Sequence, residues 1–180
     1  MRQNKQRRSV RHDLVALTIA AAAAAISINA SADIFAKLGD IKGESIDEKH
    51  ADQIEALQWS WGVTGPQRKT PACPHEFTID KFVDAASPFL VAAAAKGAVL
   101  ADATVSVRKS GKPPQDYLVM TFKEVVISGI GSRGTAGSNS VSESISFNYS
   151  SATISYSPQK ADGSLGPALT ATVGPSCPSP

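Results

Sequence analysis

Hydrophobic and polar residues alternate with a period of two over much of the chain beyond residue 32, as they do in half-buried β-strands. The alternation is clear in DIFAKL (33–38), FTIDKF (77–82) and SISFNYSSATISY (144–156). Stretches rich in Gly, Pro and Ser, such as TGPQRKTPACP (64–74) and GSRGTAGSNS (131–140), separate these runs and are expected to be loops. The pattern predicts a mainly β protein, a two-sheet barrel or sandwich of short strands.

One short α-helix is predicted beside this sheet structure. Ser87 can cap its start, Pro88 suits the first helical position, and Gly97 can take the left-handed conformation after its end. The segment between them, FLVAAAAK, favours a helix, and we expect Phe89 and Leu90 to pack on a sheet.

The period of two also predicts which side chains face the core. Extended backbone over IEALQWSWGV places Leu57, Trp59 and Trp61 on one face. The side chains expected to point inward near the C-terminus are Val141, Ile145, Phe147, Tyr149, Ile154 and Tyr156. The charged segment IDEKHADQ (46–53) is expected to be a solvated loop.

The first 32 residues are typical of a cleavable signal peptide. Basic side chains come first, at Arg2, Lys5, Arg7, Arg8 and Arg11. An uncharged run of 15 residues, LVALTIAAAAAAISI, follows and is short for a membrane span. The small residues Ala30 and Ala32 predict cleavage before Asp33, which gives a leader of residues 1–32 and a domain of residues 33–180. An uncleaved anchor or a fortuitous Ala-rich helix is the alternative, and the Arg7-Arg8 pair leaves a twin-arginine route open beside the general export route.

Removal of the leader changes the charge balance. The leader holds 5 of the 18 basic residues and 1 of the 16 acidic ones, which leaves 13 basic and 15 acidic residues in 148. A domain with a net charge near −2 lacks the basic surface that binds nucleic acid or anionic lipid, so neither is an expected partner. We expect the protein to be exported to the periplasm or the medium, with no membrane contact after cleavage.

The chain has two cysteines, Cys73 and Cys177, both in Pro-rich segments of the exported part. In an oxidising compartment we expect them to form a disulfide, within one chain or between two subunits. His75 lies near Cys73, but no further ligands stand at zinc-site spacing, so no metal is expected.

No residue pattern predicts catalysis or a cofactor. His50, among acidic neighbours, could be a general base, although a solvated loop histidine is the preferred interpretation. Glu124 and Glu143 are expected to be exposed or interfacial, because alternation places them beside polar neighbours. Trp59 and Trp61 could stack on a ligand, but packing in the core or an interface is preferred. The chain has no GxSxG motif, and GIGSRG lacks the lysine of a phosphate-binding loop.

Several segments, taken together and in order, resemble the haemolysin-coregulated protein (Hcp) family, the tube protein of type VI secretion. They include DIFAKLGDIKGES (33–45), ALQWSWGV (56–63), YLVMTFKEVVISGI (117–130) and SISFNYSSATISYSPQKADGS (144–164). The resemblance implies a two-sheet β-barrel with one helix, assembled into hexameric rings that stack into a tube and can carry effectors. It also implies a structural protein rather than an enzyme.

Three features depart from the family pattern: the leader, the short segment between Trp61 and Phe77, and a tail without an aromatic residue. We therefore expect single hexameric rings with little stacking; an exported monomeric binding module is the alternative. Spike, sheath or effector proteins of the secretion system are the other expected partners. The residues expected at the subunit interface are Lys42, Gly43, Glu44, Trp59, Trp61, Val125 and Ile127.

Overall fold

The computed structural model describes residues 32–66, 72–111 and 113–177, so the predicted leader, residues 1–32, lies outside the described residues except for Ala32. The described elements are β1 (Ala32–Leu38), β2 (Ile54–Ser60), β3 (Val63–Thr64), β4 (Cys73–Pro74), β5 (Phe77–Phe82), α1 (Ser87–Lys96), β6 (Val99–Lys109), β7 (Gln115–Arg133), β8 (Ser142–Asn148), β9 (Ser151–Tyr156) and β10 (Leu169–Val173). The predicted mainly β fold with one short helix is confirmed.

Six strands close into a barrel. They follow one another in the order β7, β6, β1, β2, β5 and β8, and the pairing of β8 with β7 completes the circle. β9 and β10 extend the sheet outside the barrel by pairing on β7 and β9, respectively. Closure leaves no free edge along the barrel wall, which removes a common cause of unspecific strand pairing.

β7 takes part in three strand pairs. One edge pairs with β6, while the other pairs first with β9, up to Lys123 opposite Ser151, and then with β8 from Val126 opposite Asn148. Glu124 lies at this change of partner and has a φ of 48°, in the left-handed region that residues with a Cβ rarely occupy. The unfavourable conformation costs about 1–2 kcal/mol and turns the strand between its two partners.

The core fills the barrel with aromatic and aliphatic side chains. Phe77 and Phe122 are fully buried, with ring centroids 4.7 Å apart, and Phe147 lies 5.1 Å from Phe122. Leu90 from α1 is fully buried in the same cluster. The prediction that Ile145, Phe147 and Tyr149 point inward agrees with their burial.

Four side chains expected to face the core or the sheet are exposed instead. A bulge in β2 opposite Asp80 and Lys81 interrupts the alternation and leaves Leu57 exposed. Val141 precedes β8 and Tyr156 ends β9, so both lie at the margin of the sheet and are exposed. Phe89, expected on the sheet, is exposed on α1.

The helix boundaries also differ in detail from the prediction. Gly97 ends α1 in the left-handed conformation (φ 59°), as predicted. The N-cap, however, is Ala86, without a side-chain cap. Ser87 is already the first helical residue, and its hydroxyl accepts from the Asp84 N–H at 3.0 Å and donates to Glu143 Oε2 at 2.6 Å.

The segment TGPQRKTPACP is not wholly a loop, since its two ends belong to β3 and β4, which pair as a small antiparallel hairpin. A disulfide joins Cys73 in this hairpin to Cys177 in the tail, with an S–S distance of 2.09 Å. The Cys177 N–H donates to Pro74 O at 2.8 Å, and the Ser176 N–H donates to Tyr149 O at 3.0 Å. The C-terminal tail therefore connects the hairpin to the end of β8.

Replacement of Cys73 by alanine should lower the free energy of unfolding by about 2–5 kcal/mol under non-reducing conditions, because the bridge closes a long loop in the unfolded chain. Thermal or urea unfolding followed by circular dichroism measures the change. Cys177→Ala should have the same effect and the double variant no more, since either change removes the bridge. Two free thiols in the native protein, counted by mass spectrometry, would contradict the prediction, and a dimer on a non-reducing gel would indicate a bridge between subunits.

Candidate functional site

Val125 and Ile127, two of the residues expected at a subunit interface, lie in the core. Val125 is fully buried and Ile127 nearly so. Their side chains cannot contact a neighbouring subunit, and this part of the interface prediction is wrong. Alternation in β7 is interrupted at Glu124 and again between Ile127 and Gly129, which explains why the sequence misassigns the outward face.

Trp59 and Trp61 are half-buried and pack against the barrel core. Trp59 stacks on Phe77 with ring centroids 5.7 Å apart. The Trp61 indole N–H donates to the Tyr149 hydroxyl at 2.6 Å, and that hydroxyl donates to His75 O at 2.8 Å. Burial raises the pKa of Tyr149, and the hydrogen bond from Trp61 offsets part of this rise. Both tryptophans contribute to packing of the core.

The turn that holds Lys42, Gly43 and Glu44 lies on the surface. Lys42 Nζ is 2.9 Å from an Asp52 carboxylate oxygen, and Glu44 Oε1 accepts a hydrogen bond from the Ala85 N–H at 3.0 Å. Gly43 approaches the main chain of Gln53 so closely that a Cβ would clash with it. Glycine is therefore needed here to bring the two segments together.

An exposed apolar groove lies beside this turn. Phe89 is 63% exposed and Val99 66% exposed, and with Ile41, Lys42 and Leu100 they line a cavity of about 690 Å³, here called the Phe89 groove. A second apolar site, the Ile46 site, comprises Ile46 and Leu57 beside a depression along β1 and β2. Ile46 is 96% exposed. Neither site is evident from the sequence, because only folding brings Phe89 beside Val99 and Ile46 beside Leu57.

His50 is buried, in contrast to the solvated loop histidine preferred from the sequence. Its ring stacks on Phe35 with centroids 4.3 Å apart, and Nε2 lies 3.1 Å from Asp116 Oδ1. The predicted solvated loop therefore folds back onto the barrel. The partner, Asp116, is 66 residues away in the sequence, so no local pattern could identify it.

Arg108 connects this loop to the barrel. Its side chain is 2% exposed, and its guanidinium donates to Asp47 Oδ1 at 2.6 Å and to Asp116 Oδ1 at 2.7 Å. Burial alone would raise the pKa of both carboxyls, but hydrogen bonds outweigh it and hold both pKa values below their usual range. For Asp116 the principal donor is Arg108. The network is fully engaged within the protein and holds the loop to the end of the sheet.

A second buried ionic cluster surrounds Lys81, whose side chain is fully buried. Lys81 Nζ lies 2.6 Å from Asp84 Oδ1, 3.1 Å from Glu143 Oε2 and 3.0 Å from Ser87 Oγ. Glu143 is thus buried and not exposed as predicted, whereas Glu124 is exposed. Burial favours a higher pKa for Glu143, but hydrogen bonds from Ser87 and Lys81 keep that pKa below its usual range.

The contact between Ser87 and Lys81 resembles a nucleophile with its base but does not work as one. The Lys81 ammonium is paired with two carboxylates and is not a free base for Ser87. Ser87 is itself buried and donates to Glu143. The cluster anchors the start of α1 to β5 and β8.

The described residues include no group of three or more His, Cys, Asp and Glu side chains arranged to hold a metal ion. Cys73 is in the disulfide, and His75 Nε2 lies 2.7 Å from Thr64 Oγ1. Among the described helices, none has the length and apolar character needed to cross a membrane.

Comparison with known proteins identifies relatives among the proteins of type VI secretion. Residues 35–156 match the family described as "Type VI secretion system effector, Hcp". The chain is also 35% identical over 140 residues to Protein hcp1 of Pseudomonas aeruginosa, a match that covers 73% of this chain and 86% of that protein.

Solved structures with the same fold include a type VI secretion system effector from Yersinia pestis and Hcp1 from Salmonella typhimurium. Each is 28% identical to this chain with a TM-score of 0.67. Each match covers 79% of this chain. The matched region is 99% of the Yersinia chain and 94% of the Salmonella chain. β10 and the bridged tail lie beyond the region that matches the family, which ends at residue 156.

The lowered pKa values of Asp47, Asp116 and Glu143 predict acid sensitivity. The unfolded chain binds more protons than the native one at these sites, so their stabilisation is present above about pH 4 and is lost as the pH falls through the native pKa values. Urea unfolding between about pH 6 and pH 2.5 measures this loss. Asp116→Asn should cost about 1–3 kcal/mol at neutral pH and make the pH dependence shallower.

The matched control for this variant is Glu48→Gln, which removes an exposed carboxylate from the same loop as Asp47. It should leave both the stability at neutral pH and its slope with pH unchanged. Equal slopes for wild type and Asp116→Asn would contradict the role assigned to the Arg108 network.

Proposed function

Because this chain belongs to the Hcp family of type VI secretion proteins, we propose that it is a non-enzymatic subunit of hexameric rings. The rings are units of a tube that can carry effectors and contact spike or sheath proteins of the secretion system. The observation that supports this proposal best is a closed barrel with two separate exposed apolar sites, the Phe89 groove and the Ile46 site.

A ring requires two different surfaces that fit each other head to tail. The Phe89 groove lies at the C-terminal end of β1, whereas the Ile46 site adjoins its N-terminal half. One surface is concave and the other presents a fully projecting isoleucine, so we propose that Ile46 of one subunit enters the Phe89 groove of the next. Lys42, at the edge of the groove, belongs to the interface expected from the sequence and stays in the proposal.

Internal pairing of the polar clusters supports a structural role. The candidate acids and bases around Arg108 and Lys81 are engaged with one another, and each cluster holds a loop or helix to the barrel. Among the described residues, no buried side-chain polar atom lacks a hydrogen-bond partner. Polar groups that are paired with one another stabilise a defined structure and are not free to bind a substrate.

We also propose that the rings stack poorly. The disulfide and the hydrogen bond between Cys177 and Pro74 hold the hairpin of β3 and β4 against the tail. A hairpin held on its own subunit is less able to reach a second ring. In negative-stain images of the purified protein we expect single rings, and long tubes would contradict this part of the proposal.

Phe89→Asp and Ile46→Asp should each convert hexamers into monomers, because closure of the interface would then desolvate a carboxylate, while Asp40 and Asp102 already balance the two lysines of the groove. Size-exclusion chromatography with light scattering measures the mass. Val91→Asp is the matched control: Val91 is also exposed on α1, but two residues along the helix it faces a different direction. It should leave the hexamer intact, whereas a wild-type monomer at tens of micromolar would contradict the ring itself.

Export of the protein with removal of residues 1–32 is the remaining part of the proposal. Protein isolated from the periplasm or the medium should begin at Asp33, which N-terminal sequencing determines. Arg11→Glu together with Arg8→Glu should reduce export, since the leader then loses the positive charge that precedes its apolar run. A cytoplasmic pool that begins at Met1 would instead indicate an ordinary cytoplasmic tube subunit.

A further inference from the structure

A second cavity, of about 550 Å³, lies far from the Phe89 groove. It is formed by the start of β1, the end of β6, the following loop, the start of β7, the end of β9 and the loop of residues 157–165. The aromatic residues of its described lining are Tyr117 and Tyr156. The Phe89 groove includes Val99 and this cavity includes Lys109, at opposite ends of β6. These ends are about 30 Å apart, so the two sites are separate surfaces.

The loop over this cavity is held in one conformation by its own hydrogen bonds. The Gly166 N–H donates to Pro158 O at 2.7 Å, and the Lys160 N–H donates to Ser164 O at 2.8 Å. Gln159 Nε2 donates to Gly163 O at 3.0 Å. Lys109 Nζ then joins the loop to β6 through Gln159 Oε1 at 2.6 Å. A cavity built in this way needs little ordering when it binds a ligand.

The lining combines aromatic rings with uncharged polar groups. The Tyr117 and Tyr156 rings meet edge to face with centroids 6.3 Å apart, and Tyr156 is 44% exposed. Neither phenol hydroxyl has a hydrogen-bond partner within the part of the chain that the structure describes. Both can therefore bond to a ligand, and the ring of Tyr156 offers it an apolar surface.

The described lining carries little net charge. It has one cation, Lys109, and one anion, Asp162. Lys109 donates to an amide oxygen, and Asp162 accepts hydrogen bonds from the Ser164 N–H and hydroxyl at 2.9 and 2.7 Å. Among the lining residues that the structure describes, a phosphate or a polycation finds no cluster of opposite charge, whereas a neutral ligand rich in hydroxyl groups matches them.

We propose that this cavity binds a neutral saccharide. The apolar C–H face of a sugar ring lies on Tyr156, and the phenol hydroxyls and Gln115 bond to its hydroxyl or acetamido groups. Leu165 adds an aliphatic side chain to the lining of the cavity. Its volume falls within the range of about 300–1,000 Å³ typical of small-molecule sites. The binding activity is additional to ring formation, because the cavity shares no lining residue with the Phe89 groove and only Ala32 with the depression beside Ile46.

Isothermal titration calorimetry with N,N′-diacetylchitobiose, cellobiose and maltose tests the proposal. The protein is expressed from its full-length sequence and purified from the compartment where it accumulates. We expect at least one of these neutral disaccharides to bind with a Kd of about 1 mM. Tyr156→Ala should weaken that binding about tenfold through loss of an aromatic contact, and Tyr156→Phe about two- to threefold through loss of one hydrogen bond.

Phe82→Ala is the matched control, an exposed aromatic residue outside the cavity and outside both sites of the proposed ring interface, and should leave saccharide affinity unchanged. Equal thermal unfolding midpoints for the tyrosine variants and the wild type show that the fold is retained. Absence of binding by all three disaccharides at about 10 mM, ten times the expected Kd, overturns the proposal. Unchanged affinity in Tyr156→Ala, or tighter binding of a glucuronate-containing disaccharide, overturns it as well. The mass of the assembly is measured separately, so failure of the ring proposal remains distinguishable.

Discussion

The structure depends on the backbone pairing of β7. This strand closes the barrel through β8, carries the outer strands through β9 and pairs with β6 along its other edge. A straight strand of 19 residues could not satisfy three partners, because its second edge must turn from one sheet to the other. Glu124 supplies that turn with a backbone conformation that glycine would adopt more easily. The energetic cost of one residue is small compared with two strand pairings.

Most of the fold could be predicted from the sequence because period-two patterning and turn residues are local signals. The runs around Ile79 and Ile145 alternate without interruption, and both residues are buried. The prediction failed where a bulge interrupts the alternation of inward and outward side chains. Leu57 faces outward there, and Val125 and Ile127 face inward. A bulge depends on how two strands meet, so the single strand does not reveal it.

The candidate site was less predictable for the same reason. Arg108 is 61 residues from Asp47, and Ser87 is 56 residues from Glu143. Because of these pairings, His50 in the segment predicted to be solvated is buried. Ser87, predicted to cap the helix, instead donates to a carboxylate. Such buried ion pairs add modestly to stability, but their directional bonds disfavour alternative packings of the loop and the helix. The apolar surfaces likewise arise from residues that are brought together only by folding.

The start of β1 has a consequence for the order of events in the proposed export. Ala32 pairs with Lys109 and Asp33 with Arg108, so the bond expected to be cleaved lies inside a paired strand. A peptidase must hold its substrate extended and accessible, and a completed barrel withholds this segment from it. The proposed processing after Ala32 would therefore have to precede closure of the sheet. This timing suits a route that carries the chain unfolded and opposes a twin-arginine route, which would deliver the domain already folded.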